Sequence, residues 1–174
     1  MNRKSHIRVF QAVGRGIHPT SLDKWTDEKK KDYMFLRLKD DSSIDLNEKK
    51  KMILQSEGIK YGYLDLLVHA IYILTFKGIW IGSTGEKAKK VQVCSEFVAY
   101  IYEEYFSKPW KVTTDDIVKK NAFRVLDYDE ELQTGDIAIE HTYFSPFNNP
   151  VSILSIIIRW FTRSYWNHCG IVVR

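Results

Sequence analysis

Residues 93–100 read VCSEFVAY and place Cys94 directly before an apolar helical pattern. The apolar residues continue at helical spacing as far as Tyr105, and Pro109 marks the predicted end of the helix. A thiol at the N-terminus of a helix lies beside unpaired backbone N–H groups and the positive end of the helix dipole, which both favour the thiolate. The pattern therefore predicts a nucleophile at the start of a helix. The alternative, a small buried hydrophobic residue, is the commonest fate of a free cysteine and stays open.

Residues 166–173 read WNHCGIVV and place His168 at the start of an apolar strand. An imidazole on a strand packed against the helix of Cys94 has the chemistry to take the thiol proton and to return it to a leaving group. A structural histidine at a strand end is the alternative. Cys169 must point to the opposite face of the strand and is predicted to be a core thiol. Gly170, two residues after His168, is expected to leave space for substrate or for the opposing helix.

The rest of the chain predicts an α+β fold, a small and mainly antiparallel sheet with helices packed on it. Asp45 is the predicted N-cap of one helix, and Thr113 or Thr114 that of a short one. A loop is expected through His18 and Pro19, and another over 77–91. The predicted strands are 6–13, 33–38, 123–126, 137–139 and 170–173. Besides the helix that begins at Cys94 and the short helix capped by Thr113 or Thr114, the predicted helices are 45–57, 63–76 and 151–161.

Length and composition favour one domain over residues 1–174. The two cysteines are too few for a disulfide framework or a cysteine-rich zinc site. The net charge of +4 suits contact with a membrane or cell-wall surface, but no nucleic-acid motif accompanies it, so no nucleic-acid partner is expected. No signal peptide is visible, and no apolar stretch reaches the roughly 20 residues that span a bilayer. A soluble protein is expected, cytoplasmic by default.

Several phrases together resemble the permuted NlpC-type domains, the YiiX-like and lecithin:retinol acyltransferase-like relatives of papain. The opening half of those domains resembles phrases within residues 126–174, and their closing half resembles phrases within residues 1–125. The phrases are LQTGDIAI at 132–139, IIIRWFT at 156–162, NHCGIVV at 167–173, YGYLDLL at 61–67, CSEFVAY at 94–100, TTDDI at 113–117 and, joining the halves, VFQAVGRGI at 9–17.

The resemblance implies a papain-like fold with Cys94 as nucleophile, His168 as base and Gln11 as the polar residue that orients the histidine. Many relatives have a carboxylate at the position of Gln11, and a neutral amide stabilises an imidazolium less than a carboxylate does. An ordinary polar strand residue is the alternative reading of Gln11. We expect Gly170, Ser95 and Trp166 to contact the substrate, and we expect no cofactor and no metal ion.

The two halves stand in the reverse order to that of the permuted relatives, since Cys94 precedes His168. Joining Arg174 to Met1 would restore the permuted order. We therefore predict that the first and last strands are neighbours in the sheet and run antiparallel.

The resemblance implies a thiol hydrolase or acyltransferase, a cysteine peptidase or amidase in the broad sense, that acts on a cell-wall peptide or a lipid acyl group. The apolar segment 151–161 would suit an acyl groove, and core packing explains it equally well. The alternative function is a papain-like binding or structural module of a larger assembly with little catalysis. The sequence leaves the substrate, the acyl acceptor and the oligomeric state open.

Overall fold

A computed structural model describes residues 6–26, 31–40, 45–75, 78–82, 84–127, 129–142, 166 and 168–174. The architecture is α+β, as the sequence predicts: a six-stranded antiparallel sheet accompanied by helices. The strands are β1 (Arg8–Val13), β2 (Gly16–Ser21), β3 (Lys31–Leu38), β4 (Lys60–Tyr61), β5 (Val91–Gln92), β6 (Phe123–Val125), β7 (Ile137–Thr142) and β8 (His168–Val173). The α-helices are α1 (Leu22–Thr26), α2 (Leu46–Gln55), α3 (Tyr63–Leu74), α4 (Cys94–Ile101) and α5 (Thr114–Val118).

The strands of the large sheet lie in the order β2-β1-β8-β7-β3-β6, and β4 and β5 form a separate parallel pair. The first and last strands, β1 and β8, are neighbours and run antiparallel, with Arg8 opposite Val173 and Gln11 opposite Gly170. This confirms the predicted pairing of the two ends of the chain. The turn that would join Arg174 to Met1 involves residues 1–5, which lie outside the described residues.

The predicted loop through His18 and Pro19 is wrong, because these residues belong to β2. β2 forms a hairpin with β1 in which Gln11 lies opposite His18. Proline has no N–H to donate to a neighbouring strand, which argues against a strand in the interior of a sheet. β2 lies at the edge of this sheet, where a proline is tolerated.

Alternation along the strands divides the buried side chains of the sheet between its two faces. On one face Phe10, Ile139 and Cys169 pack with α4 in the main core. On the other face Val9, Ala138 and Val172 pack with Leu22 and Trp25 around α1. All eight residues of α4 are buried, because this helix is enclosed by the fold around its whole circumference.

Helix ends follow the predicted capping residues more closely than the predicted lengths. The Asp45 carboxylate caps α2 by accepting hydrogen bonds from the backbone N–H groups of Asn47 and Glu48, at 2.8 and 3.2 Å. Thr113 caps α5. α4 ends at Ile101, well before the predicted stop at Pro109, and two short 3-10 turns follow it.

Two further predicted segments differ in how far the structure describes them. The expected loop over 77–91 contains a 3-10 helix, Gly85–Lys90, followed by the start of β5. The helix predicted over 151–161 lies outside the described residues. Within the described ranges, no helix combines the length and apolar character needed to cross a bilayer.

Candidate functional site

Cys94 is the first residue of α4 and lies where that helix meets the sheet. The first backbone hydrogen bond of the helix runs from the N–H of Phe97 to the carbonyl of Val93, at 3.0 Å. The N–H groups of Cys94 and Ser95 therefore precede the first bonded turn, and the positive end of the helix lies beside the Cys94 thiol. Cys94 is 9 % exposed.

The surroundings of Cys94 lower its pKa well below the ordinary value of a thiol. The largest cause is a hydrogen bond from the Cys169 thiol, followed by the charge and a hydrogen bond of His168, while burial acts in the opposite direction. Cys169 is fully buried, and burial together with its contact to Cys94 raises its own pKa well above the ordinary value. Cys94 is therefore the more acidic thiol of this pair.

His168 begins β8, and its imidazole is half-buried. Its Nε2 lies 2.7 Å from the side-chain oxygen of Gln11 on the neighbouring strand β1. An amide oxygen only accepts, so Nε2 is the donor and carries a proton, and Nδ1 is the ring nitrogen that does not contact Gln11. The structure therefore joins Gln11 to His168 directly, and His168 in turn lies close enough to Cys94 to lower its pKa.

The Gln11 amide makes two further hydrogen bonds. Its nitrogen donates to the hydroxyl of Thr20 on β2 at 3.0 Å, and its oxygen accepts from the indole N–H of Trp25 on α1 at 3.2 Å. These contacts fix the orientation of the amide. They also show that Gln11 has a specific set of partners, unlike the ordinary polar strand residue that was the alternative.

The three predicted substrate contacts lie around this centre in different settings. A Cβ atom on Gly170 would come within 2.6 Å of the Phe10 carbonyl oxygen, so the space beside Gly170 is filled by β1 and not by a substrate or the opposing helix. Ser95 is buried next to Cys94, and Trp166 is half-buried against the main core. The role of Ser95 and Trp166 toward a substrate stays a prediction.

Beside Cys94, α4 and α3 contribute to a buried polar cluster. One carboxyl oxygen of Glu96 accepts the backbone N–H of Val93 at 3.0 Å, and the other lies 4.0 Å from Nδ1 of His69. Nδ1 of His69 donates to the Asp65 carbonyl at 2.9 Å. Burial raises the pKa of Glu96 to about 9 and lowers the pKa of His69, so both side chains are neutral near pH 7.

Several residues near the centre have positions or contacts that the sequence did not predict. Cys169 was predicted to be a core thiol, which its burial confirms, but its hydrogen bond to Cys94 was not foreseen. Glu140 lies directly opposite His168 in the register of β7 and β8 and is buried. His141 also lies beyond the predicted end of this strand and is fully buried in β7. The predicted strand ended at Ile139, and extending its alternation by three residues would have included both side chains.

In the part of the chain that the structure describes, no three His, Cys, Asp or Glu side chains are grouped so as to hold a metal ion. Comparisons of this chain with protein-family models, with curated proteins and with solved structures find no match.

Proposed function

We propose that this protein is a thiol hydrolase or acyltransferase with a papain-like fold, related to the permuted YiiX-like and lecithin:retinol acyltransferase-like branch of the NlpC-type enzymes. The observation that carries the proposal is the arrangement of the three side chains. The thiol of Cys94 interacts with His168, and Nε2 of His168 is held 2.7 Å from the Gln11 oxygen. A nucleophile, a base and a group that orients the base are the parts that covalent acyl transfer requires.

In the proposed reaction the thiolate of Cys94 adds to an amide or ester carbonyl, after its proton has passed to Nδ1 of His168. The carbonyl becomes an oxyanion, which the backbone N–H groups at the start of α4 are oriented to stabilise. The imidazolium then returns its proton to the leaving amine or alcohol as the carbonyl re-forms, leaving an acyl-enzyme on Cys94. Water or another acceptor attacks this thioester with His168 as base, which releases the acid or the transferred acyl product.

The substrate class follows from the resemblance and is either a cell-wall peptide or a lipid acyl group. The basic net charge of the chain supports an anionic surface as the place of action. A papain-like binding or structural module is the second candidate. The neutral side chain at position 11 favours it, because a carboxylate there would stabilise the imidazolium more strongly.

Labelling with a thiol-directed acyl probe tests the proposal. We expect Cys94→Ala to abolish covalent labelling and turnover of a simple thioester or ester, whereas Cys169→Ala should still be labelled. Peptide mapping by mass spectrometry identifies the labelled residue. Labelling that persists in Cys94→Ala and maps to Cys169 would contradict the assignment, and an ordinary thiol pKa for Cys94 would favour the binding module.

A further inference from the structure

Trp25 belongs to the apolar cluster around α1 and also contacts the candidate catalytic centre. The residue is 2 % exposed, and its indole packs against the rings of Tyr33 and Phe35, with ring centroids 6.1 and 5.9 Å away. These contacts hold the indole in one position beside β1. From there its N–H reaches the side-chain oxygen of Gln11 at 3.2 Å, and that same oxygen contacts His168.

A glutamine side chain can in principle present either its oxygen or its nitrogen to His168, because rotating the amide by half a turn exchanges the two. The hydroxyl of Thr20 can donate or accept, so it is compatible with both orientations. The indole N–H of Trp25 is different, because it can only donate. It is satisfied only when the amide oxygen faces Trp25 and His168 together.

We propose that Trp25 is a positioning residue, whose indole N–H holds the Gln11 oxygen toward His168 and thereby keeps the proton of the neutral imidazole on Nε2. Nδ1 then has the lone pair that receives the proton of Cys94. The resulting imidazolium still finds an acceptor at Nε2, which a rotated amide would replace by an NH2 group. The inference rests on the proposed function, since it concerns the base of that reaction.

The proposal also explains how an amide serves where many relatives have a carboxylate. A carboxylate has two acceptor oxygens and cannot present a donor, so it needs no partner to choose its orientation. An amide needs such a partner. In this chain Trp25 supplies the contact from a different element, α1, which follows directly after β2.

Replacement of Trp25 by Phe removes the N–H and keeps an aromatic ring. We expect the midpoint of the pH profile for iodoacetamide alkylation of Cys94 to rise by about one unit, so that alkylation below the midpoint slows about tenfold. NMR of the imidazole nitrogens should show a population of the Nδ1–H tautomer of His168 that the unmodified protein lacks. Trp110→Phe is the matched control, because the Trp110 N–H is buried with no hydrogen-bond partner among the described residues, and it should change neither measurement.

The same substitution in a Gln11→Glu background separates orientation from general loss of packing. Glutamate needs no orienting donor, so Trp25→Phe should leave the alkylation midpoint unchanged there, and the two substitutions should be strongly non-additive.

If Trp25→Phe folds poorly, 3-benzothienylalanine at position 25 keeps the ring shape and removes only the N–H. Removing the indole N–H alters none of the other titratable side chains near Cys94 and His168, which are Cys169 on β8, Glu140 on β7, Tyr61 on β4, Glu96 on α4 and the α3 residues Asp65 and His69.

An unchanged tautomer and an unchanged midpoint in the benzothienylalanine protein would overturn the role of Trp25. So would an equal shift with and without the Gln11→Glu substitution, because it would mean that the tryptophan acts through packing. In both cases labelling of Cys94 in the unmodified protein would persist, and the proposed function would stand. If the unmodified protein itself shows an ordinary thiol midpoint at Cys94, the proposed function fails first.

Discussion

Around His168 the polar side chains form a continuous chain of hydrogen bonds. Near Cys94, by contrast, Glu96 and His69 are buried, and one ring nitrogen of His69 has no hydrogen-bond partner among the described residues. We call the first group, Thr20, Gln11, Trp25 and His168, the histidine side. Its hydrogen bonds measure 2.7 to 3.2 Å and give the amide of Gln11 partners for its oxygen and its nitrogen. The position of the His168 ring therefore depends on which atom of Gln11 faces it and on which atoms of Thr20 and Trp25 face the Gln11 amide.

The second group, Cys94, Glu96, His69 and Asp65, is the cysteine side. Here Nε2 of His69 is buried with no hydrogen-bond partner within the described ranges, and Glu96 is 1 % exposed with a pKa of about 9. For Glu96 and His69, burial sets the charge more than any single hydrogen bond does. The histidine side should therefore respond to substitutions that move or exchange atoms, and the cysteine side to changes in protonation.

The largest expected effect is the pH dependence of stability that Glu96 imposes on the cysteine side. Burial raises the pKa of Glu96 from 4.5 to about 9. The stabilisation from the protonated carboxyl is therefore fully present below about pH 4.5 and is lost as the pH rises through about 9. We expect the free energy of unfolding to fall between about pH 5 and pH 9, by on the order of 3–6 kcal/mol, relative to Glu96→Gln.

Urea denaturation followed by tryptophan fluorescence at a series of pH values measures this effect. Glu96→Gln is the matched control, because the amide keeps an oxygen for the Val93 N–H and does not titrate. His69 is present in both proteins, and its lowered pKa affects stability in the other direction, as the pH falls below its ordinary value of 6.5. Parallel stability curves for the two proteins would show that Glu96 is ionised in the folded state.

The sequence predicted the histidine side and the cysteine side to different degrees. Cys94, His168 and Gln11 were identified because a helix start, a strand start and a family resemblance each leave a local pattern. The hydrogen bond between Cys169 and Cys94 leaves no local pattern in the sequence, because it depends on how α4 lies across β8. Trp25 was missed for a related reason. Its contact with Gln11 requires β2 to fold back on β1, and Pro19 made the sequence of β2 look like a loop.

The boundaries of the fold show the same limit. Asp45 and Thr113 were identified as caps because a capping side chain bonds to its own helix within three residues. The early end of α4 at Ile101 could not be read from the apolar residues that follow it, because aromatic residues pack into a core from 3-10 turns as well as from a helix. Phe106, directly after such a turn, does so here.

The next largest effect is expected from Gly170→Ala, which should disturb the histidine side by separating the backbones of β1 and β8. A Cβ on Gly170 would lie 2.6 Å from the Phe10 carbonyl and 2.8 Å from a Val9 methyl group, so Gly170→Ala must push β1 away from β8. We expect a loss of about 1–3 kcal/mol in the free energy of unfolding, as for other overpacked sites. Because Gln11 moves with β1, the alkylation midpoint of Cys94 should also rise.

Gly85→Ala is the control for that experiment. A Cβ there meets no described atom within 4 Å, and the substitution tests only the cost of a backbone with φ of +59°. We expect it to cost about 1–2 kcal/mol, the cost of an L-residue in this left-handed conformation, and to leave the Cys94 midpoint unchanged. An unchanged Cys94 midpoint in both alanine variants would mean that β1 and β8 are not held as closely as the structure has them.

The smallest effect concerns Cys169, which links the two sides because it follows His168 in β8 and donates to Cys94. Cys169→Ala removes the contact that contributes most to the low pKa of Cys94, so we expect the alkylation midpoint of Cys94 to rise by about one unit. Cys169→Ser keeps a donor at the same place and should fall between the alanine variant and the unmodified protein. If alanine and serine leave the midpoint where it is, then His168 and the start of α4 suffice to hold the thiolate. The pKa of Cys94, on the cysteine side, would in that case be set by His168, on the histidine side, and the two groups would not be independent.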